Sequence, residues 1–558
     1  MAVPSIRISS ASPANLTCWR RSWGRMPLRN GAARRAYVSA AVLCCLTSIA
    51  TAAGSDLTCK SAANVSADLA AHRIDSQALI TGYEARISRL NPEIHAVIAL
   101  NPNAMTAARA SDARRRSGRA LGPLDGLPIL VKDNIGIAGL PTTAGSLALA
   151  ENVRSASAPV LARLEHAGAV ILGRTNLSEW ANIRSEHSSS GWSAVGGLTR
   201  NPYMLDRTAC GSSSGSAAAV AAGMAAAAIG TETDGSISCP SSMNGLVGLK
   251  PTVGLVSRTG IVPISHTQDT AGPITHTVRD AAMLLTAMAG SDRADPATAG
   301  ADAHRIDYTT ALNPQALQGV RLGVARFLLK GFTPETLGVF NRALAVLKAH
   351  GAILVDVDDY DPAKLGKNEN VVLMTELKAD LNGYLAGSPP EVRSRTLAQL
   401  IAFDDAHAQQ EMPWFGQGAF IKAQRTKGLD DPAYIKAHDT NLRLAGPEGI
   451  DRLLREHGVV ALISPTQNPA SVIDLVNGDA ISGGDSNLPA VATYPYITIP
   501  MGEVHGLPVG LSFIGPKWSE ARLLGLGYAY EQASHAARAP SFAADVLHPR
   551  PIPACLPR

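Results

Sequence analysis

Three serines stand between glycines in CGSSSGSAAAV (Cys210 to Val220), another follows an Asp-Gly pair in GTETDGSISCPSS (Gly230 to Ser242), and a lysine closes the apolar run LPILV at Lys132. A serine hydroxyl attacks a carbonyl only when a base draws off its proton, and neither serine segment contains a histidine. A lysine can serve if burial lowers its pKa and leaves the amine neutral. Lys132 is the candidate, because it ends a buried-strand pattern and is followed by Asp133-Asn134. Taken alone, a lysine at a strand end is more often a solvated charge. Ser236 follows Gly235, where backbone N–H groups can converge with no side chain in the way, a geometry suited to an oxyanion.

Two other readings compete at this level. GSSSG satisfies G-x-S-x-G, the nucleophile-elbow pattern with Ser213 at its centre, and His505 or His548 could supply the base from downstream. That motif needs a buried strand immediately before it, whereas NPYMLDRTAC has the composition of a turn and loop. The second alternative is structural: serine is favoured at helix N-caps, and SAAAVAAGMAAAA is a strong helix former. Its small side chains imply close packing against neighbouring backbone.

The elements that must hold these residues alternate between helix and strand. Residues 62–119 carry apolar positions at helical spacing, with Asn91-Pro92 predicting a break. LPILV and AVILG are short enough for buried strands; VLKAHGAILVDVD and LREHGVVALISPT repeat the helix, glycine, strand order, and YITIPMG and LPVGLSFIG are β-rich. Alternation of this kind predicts an α/β fold. VNGDAISGGDSN (Val476 to Asn487) reads as a loop.

The 558 residues are 46% hydrophobic and 17% charged, the profile of a globular protein with a sizeable core. Arg34 and Arg35 precede AYVSAAVLCCLTSIATA, an uncharged stretch ending in a small-x-small pattern, so residues 1–52 are expected to be a secretory leader cleaved near Ala52. The destination is then periplasmic or extracellular, by a Sec or a twin-arginine route. The leader holds seven arginines and no acid, so a formal charge of +4 becomes −3 without it. That balance leaves no electrostatic footprint for nucleic acid, and no stable membrane span is expected in residues 53–558. HExxH and Cys/His clusters are absent from the sequence, so a metal has no support. Cys59 and Cys555 are candidates for a disulfide, with two free thiols as the alternative. Cys210 and Cys239 are read as packing residues.

GPLDGLPILVKDN, GRTNLSEWAN, CGSSSGSAAAVAAG, GTETDGSISCPSSMNGLVGLKPTVG and QDTAGPITHTVRDAAMLL, in this order, resemble the amidase signature family, and the match extends through ISPT, TYPYITIPMG and LPVGLSFIG over residues 60–535. The resemblance implies a single α/β/α domain with a mixed central sheet flanked by helices, a signature core at about 120–290 and a variable substrate-shaping insert at about 300–450. It implies a Ser-Ser-Lys triad of Ser236 as nucleophile, Ser212 as bridging serine and Lys132 as base, with a cis peptide before Ser212. The oxyanion hole then falls on the backbone of Thr233, Asp234 and Gly235, and Ser213 is a candidate substrate contact. It implies hydrolysis of a carboxamide through an acyl-enzyme, with no cofactor and no obligate protein partner. Cys210, Ser214 and Asp234 stand where many members have glycine.

LIAFDDAHAQQEMPWFGQ and DPAYIKAHDTNLRLAGPEGID resemble bacterial members that act on peptide amides. The expected substrate is therefore the C-terminal amide of a peptide, with ammonia released. Trp414, Phe415 and Phe420 are candidates for an acyl-side pocket or ordinary core aromatics. The alternatives are an exported amidase for small or fatty acyl amides and, in another class, the glutaminase subunit of a tRNA-dependent amidotransferase, which a leader argues against.

Overall fold

The computed structural model describes residues 60–548, so the leader and any Cys59–Cys555 pairing lie outside the described residues. In chain order the strands are β1 (Val97–Leu100), β2 (Pro128–Lys132), β3 (Val170–Thr175), β4 (Trp192–Ser193), β5 (Gly197–Leu198), β6 (Ala227–Glu232), β7 (Val247–Lys250), β8 (Thr270–Thr275), β9 (Arg321–Ala325), β10 (Ile353–Val357), β11 (Leu462–Pro465), β12 (Tyr496–Val504) and β13 (Leu507–Ile514). Eleven of them form one sheet in the order β1-β3-β2-β6-β8-β7-β12-β13-β11-β9-β10, and β4 and β5 make a separate two-stranded ribbon. The sheet is mixed: β2 runs parallel to β3 and β6, β6 antiparallel to β8, and β12 and β13 form an antiparallel hairpin. Helices flank it in a single α/β/α domain.

Strands β2, β3 and β6 are buried along their whole length, which is why their sequences read as apolar runs rather than alternating ones. The polar residues carried into this environment are the informative ones. Lys132 ends β2, with Thr175 of β3 opposite it in register, and Thr231 lies near the end of β6.

The alanine-rich segment forms the helix Ser214–Ala221, and every one of its residues is buried. A side chain at Gly215 would collide with the carbonyls of Ala96 and Asn176, so the small residues serve close backbone approach. No strand runs directly into this helix: residues 201–213 are turns and isolated bridges, which removes the support the nucleophile-elbow reading needs.

The break expected at Asn91-Pro92 falls later. The helix Ser76–Ile94 continues through Pro92 and ends at His95 in a left-handed conformation. Asn91 still acts as a terminator, because its Oδ1 accepts from the N–H groups of Ala96 and Val97 at 2.8 Å and turns the chain into β1. Among the described residues no helix is long and apolar enough to cross a membrane.

Candidate active site

Burial brings the base candidate to one of the serines, Ser212. Lys132 is 0% exposed, and its Nζ lies 2.7 Å from Ser212 Oγ, 2.8 Å from Thr231 Oγ1 and 3.3 Å from the Thr231 carbonyl. Asn134 Nδ2 donates to the same threonine hydroxyl at 2.9 Å. Loss of hydration brings the Lys132 pKa down to about 7, against a smaller upward pull from the Asp269 and Glu232 carboxylates. A neutral amine has two N–H donors and one lone pair. Thr231 offers two acceptors to the donors, and the lone pair is then left for the Ser212 hydroxyl.

The turn after β2 is held from below. Arg174 pairs with Asp133 at 3.1 Å and donates to the Ile135 carbonyl at 2.9 Å and Thr142 Oγ1 at 2.8 Å, all in the interior. Asp133 also accepts from the Thr143 hydroxyl. The lysine backbone is therefore fixed by a network that does not itself touch Nζ.

The Gly211–Ser212 peptide is cis, as the family resemblance implies. Glycine is required at 211 because a side chain there would strike Ser178 Oγ. The Ser212 carbonyl accepts from Ser178 N–H at 3.0 Å. Ser213 is fully buried; its hydroxyl donates to the Thr231 carbonyl at 3.1 Å and accepts from Thr231 N–H at 3.3 Å. Ser214 Oγ donates to the Cys210 carbonyl.

Ser236 sits on the turn between β6 and the helix Ser238–Met243, and its carbonyl accepts from Ser213 N–H at 3.2 Å. At 8% exposure it is the member of the Lys132, Ser212, Ser236 set that reaches solvent, the other two being at 0%. Gly235 takes φ +82, the left-handed region where glycine is favoured. Glu232 Oε2 accepts from Ile237 N–H at 2.7 Å and Ser238 N–H at 2.9 Å, which consumes the two donors just beyond the serine. The N–H groups of Thr233, Asp234, Gly235 and Ser236 have no acceptor among the described residues. Four adjacent unclaimed donors beside a serine are groups of the kind that can receive an anion.

Side chains that sequence reasoning missed complete the surroundings. Asp234 accepts from Ser486 Oγ at 2.5 Å and Asn487 Nδ2 at 3.1 Å, and the same amide donates to Glu369 Oε2 at 2.5 Å. Glu369, on the helix Gly366–Ala386 of the expected insert, also accepts from Gln268 Nε2 at 3.0 Å. Burial and the neighbouring Asp234 carboxylate push Glu369 up to about 8. Asp269 accepts from Thr233 Oγ1 at 2.6 Å, and burial raises it to about 6. Asn134, Thr231, Thr233 and Asp269 also form one wall of a cavity of about 410 Å³.

The remaining candidates are placed elsewhere or differently. His505 is on the exposed turn between β12 and β13, and His548 is exposed and bonded to Asp545 at 2.9 Å. Phe420 is a core residue stacked edge-on against Trp180 at 5.6 Å, Phe415 packs on Trp192 at 5.2 Å, and Trp414 is exposed. The reading of Cys210 and Cys239 as packing thiols is corrected: they are joined in a disulfide with Cα atoms 6.0 Å apart. They are 29 positions apart with no motif spacing, so only the fold could pair them. For a metal, His266, Glu376 and Asp380 are the one group within reach among the described residues, and their atoms are taken up by one another and by the Thr267 and Tyr434 hydroxyls.

The amidase family profile matches residues 78–524. A putative amidase of Arthroderma benhamiae is 38% identical over 485 residues, covering 82% of this chain and 79% of the relative. A probable amidase of Arabidopsis thaliana is 37% identical, with 85% and 89% covered. Among solved structures, the native peptide amidase of Stenotrophomonas maltophilia superposes with a TM-score of 0.83 at 49% identity, covering 86% of this chain and 98% of that one. An amidase family protein of Bacillus anthracis gives 0.79 at 33% identity, with 86% and 92% covered. The chain belongs to the amidase signature family, as an amide-bond hydrolase closely similar to bacterial peptide amidase.

Proposed function

We propose that this hydrolase removes the C-terminal carboxamide of peptides by a Ser236 acyl-enzyme, with Ser212 and Lys132 as the proton relay. The observation that carries the relay is the buried Lys132 amine, 2.7 Å from Ser212 Oγ and with a pKa lowered to about 7. Neutral Lys132 accepts the Ser212 proton as Ser212 accepts that of Ser236, and the Ser236 oxygen attacks the amide carbon. The oxygen of the tetrahedral intermediate is received by the N–H groups between Thr233 and Ser236, each such donor being worth about 3–4 kcal/mol in the transition state. Return of the proton to the leaving nitrogen releases ammonia, and water reverses the sequence to free the acid.

The peptide-amide choice is supported by the 49% identity to the Stenotrophomonas maltophilia enzyme across 98% of that chain. Glutamyl-tRNA(Gln) amidotransferase A subunits also match, at 36% identity for that of Chloroflexus aurantiacus. Ammonia release by the purified chain alone separates the readings: peptide amides should be hydrolysed well ahead of free glutamine and simple or fatty acyl amides. Preference for glutamine, or dependence on added subunits, would reverse the assignment. Export of residues 53–558 belongs to the same proposal, and a disulfide beside the relay supports an oxidising destination. N-terminal sequencing of protein recovered outside the cytoplasm should begin near Ala53.

A further inference from the structure

The Cys210–Cys239 disulfide lies between the two serine segments. Cys210 immediately precedes the Gly211–Ser212 peptide, and Cys239, on the helix Ser238–Met243, is three residues beyond Ser236. The bond therefore closes a loop with one relay hydroxyl near each of its ends. Both cysteines are buried, and a different relay surrounds the serines, so the sulfurs have no evident chemical part in hydrolysis.

The backbone at Cys210 strengthens the point. Its φ is +55, in the left-handed region that a residue with a Cβ adopts at a cost and that glycine adopts freely. Backbone conformation alone would select glycine here, so the presence of cysteine is explained by what its sulfur reaches. Otherwise, the direct links between the segments are hydrogen bonds of Ser213: its N–H donates to the Ser236 carbonyl at 3.2 Å, and its hydroxyl donates to the Thr231 carbonyl at 3.1 Å and accepts from Thr231 N–H at 3.3 Å.

We propose that the Cys210–Cys239 disulfide is a positioning element for amide hydrolysis: it fixes the turn presenting Ser212 against the helix start presenting Ser236, so that opening it lowers turnover. The proposal rests on the relay reading above. Opening the bond is a two-electron reduction, in which a dithiol such as dithiothreitol returns Cys210 and Cys239 as two thiols and itself closes to a cyclic disulfide. The left-handed turn is then held by hydrogen bonds alone.

The test compares oxidised wild type, wild type treated with dithiothreitol, and Cys210→Gly/Cys239→Ala, which places a tolerant residue at the left-handed position. Each is assayed on a peptide amide well below its own melting temperature, with circular dichroism confirming the fold and thiol titration confirming reduction. Because displacement of reacting groups by about 1 Å costs up to about 100-fold, reduction and the double substitution should each lower kcat about 10- to 100-fold while KM stays within about twofold. Reoxidation with oxidised glutathione should restore wild type and leave the double variant unchanged. A bond that merely adds stability would lower the melting temperature and leave kcat intact. That result in either folded form overturns the proposal, and if the double variant does not fold, reversible reduction of wild type decides. Ser236→Ala in the oxidised enzyme is scored separately: retained turnover there breaks the relay reading, whatever the disulfide does.

Discussion

Lys132 Nζ lies 2.7 Å from Ser212 Oγ, and neither side chain is exposed to solvent. A lysine in that position can act as a base only in its unprotonated form, and burial is what makes that form available near neutrality. The rate should therefore follow the state of one amine.

For pH dependence the sign is set by the depressed pKa. Below about 7 the amine is protonated and its lone pair is lost, so kcat/KM should fall about tenfold per pH unit on the acid side and level off above that value. Lys132→Ala should fold, by circular dichroism, and lose at least about 10²–10⁴-fold in rate. An acid limb centred well away from 7 in wild type would show that another group controls the step.

The three neighbouring serines should separate by readout. Ser236→Ala should abolish turnover and acyl-enzyme trapping by hydroxylamine, and Ser212→Ala should approach it. Ser213→Ala acts differently, since the Ser213 hydroxyl satisfies both the N–H and the carbonyl of Thr231. Leaving the buried Thr231 N–H unmatched costs about 1–3 kcal/mol, so urea unfolding should show the loss while kcat falls far less than in Ser212→Ala. Equal kcat losses at 212 and 213 would contradict the distinction.

Glu369 should reveal itself in stability as well as rate. Its pKa is raised in the folded protein, so its stabilising contribution is greatest below its ordinary value of 4.5 and is lost as pH rises towards about 8. Wild type should accordingly lose melting temperature relative to Glu369→Gln across that interval. The substitution also alters the bracket from Asn487 to Asp234 beside the proposed oxyanion donors, and kcat should fall about tenfold with little change in KM. Parallel melting curves from pH 4.5 to 8 would mean that Glu369 does not titrate there.

Replacing His505 or His548 by alanine should change kcat/KM less than about twofold, because both are exposed and His548 is engaged with Asp545. A loss comparable to that of Lys132→Ala would bring a histidine mechanism back.

Much of the site was legible because its residues lie in short uninterrupted motifs. VKDN places Lys132 at a strand end, GTETDG supplies both Thr231 and the turn before Ser236, and the helix and strand units at VLKAHGAILVDVD and LREHGVVALISPT form where the apolar spacing puts them. What was not legible depends on approach between distant segments. Glu369 lies on a helix with no signature of its own and neighbours Asp234, with Asn487, from a third part of the chain, bridging the two. Cys210 and Cys239 gave no spacing signal, and Pro92 was absorbed into the end of a helix because the turn is made by Asn91.

The reach of Glu369 to Asp234, in the turn proposed to receive the oxyanion, bears on how such enzymes can be recombined. A chimera that exchanges the segment at 300–450 for a relative's would carry off one half of the bracket behind Asp234, altering catalytic efficiency together with selectivity. Segment grafting on this scaffold must therefore transplant the carboxyl at 369 with its two amide partners, Gln268 and Asn487, as a single unit.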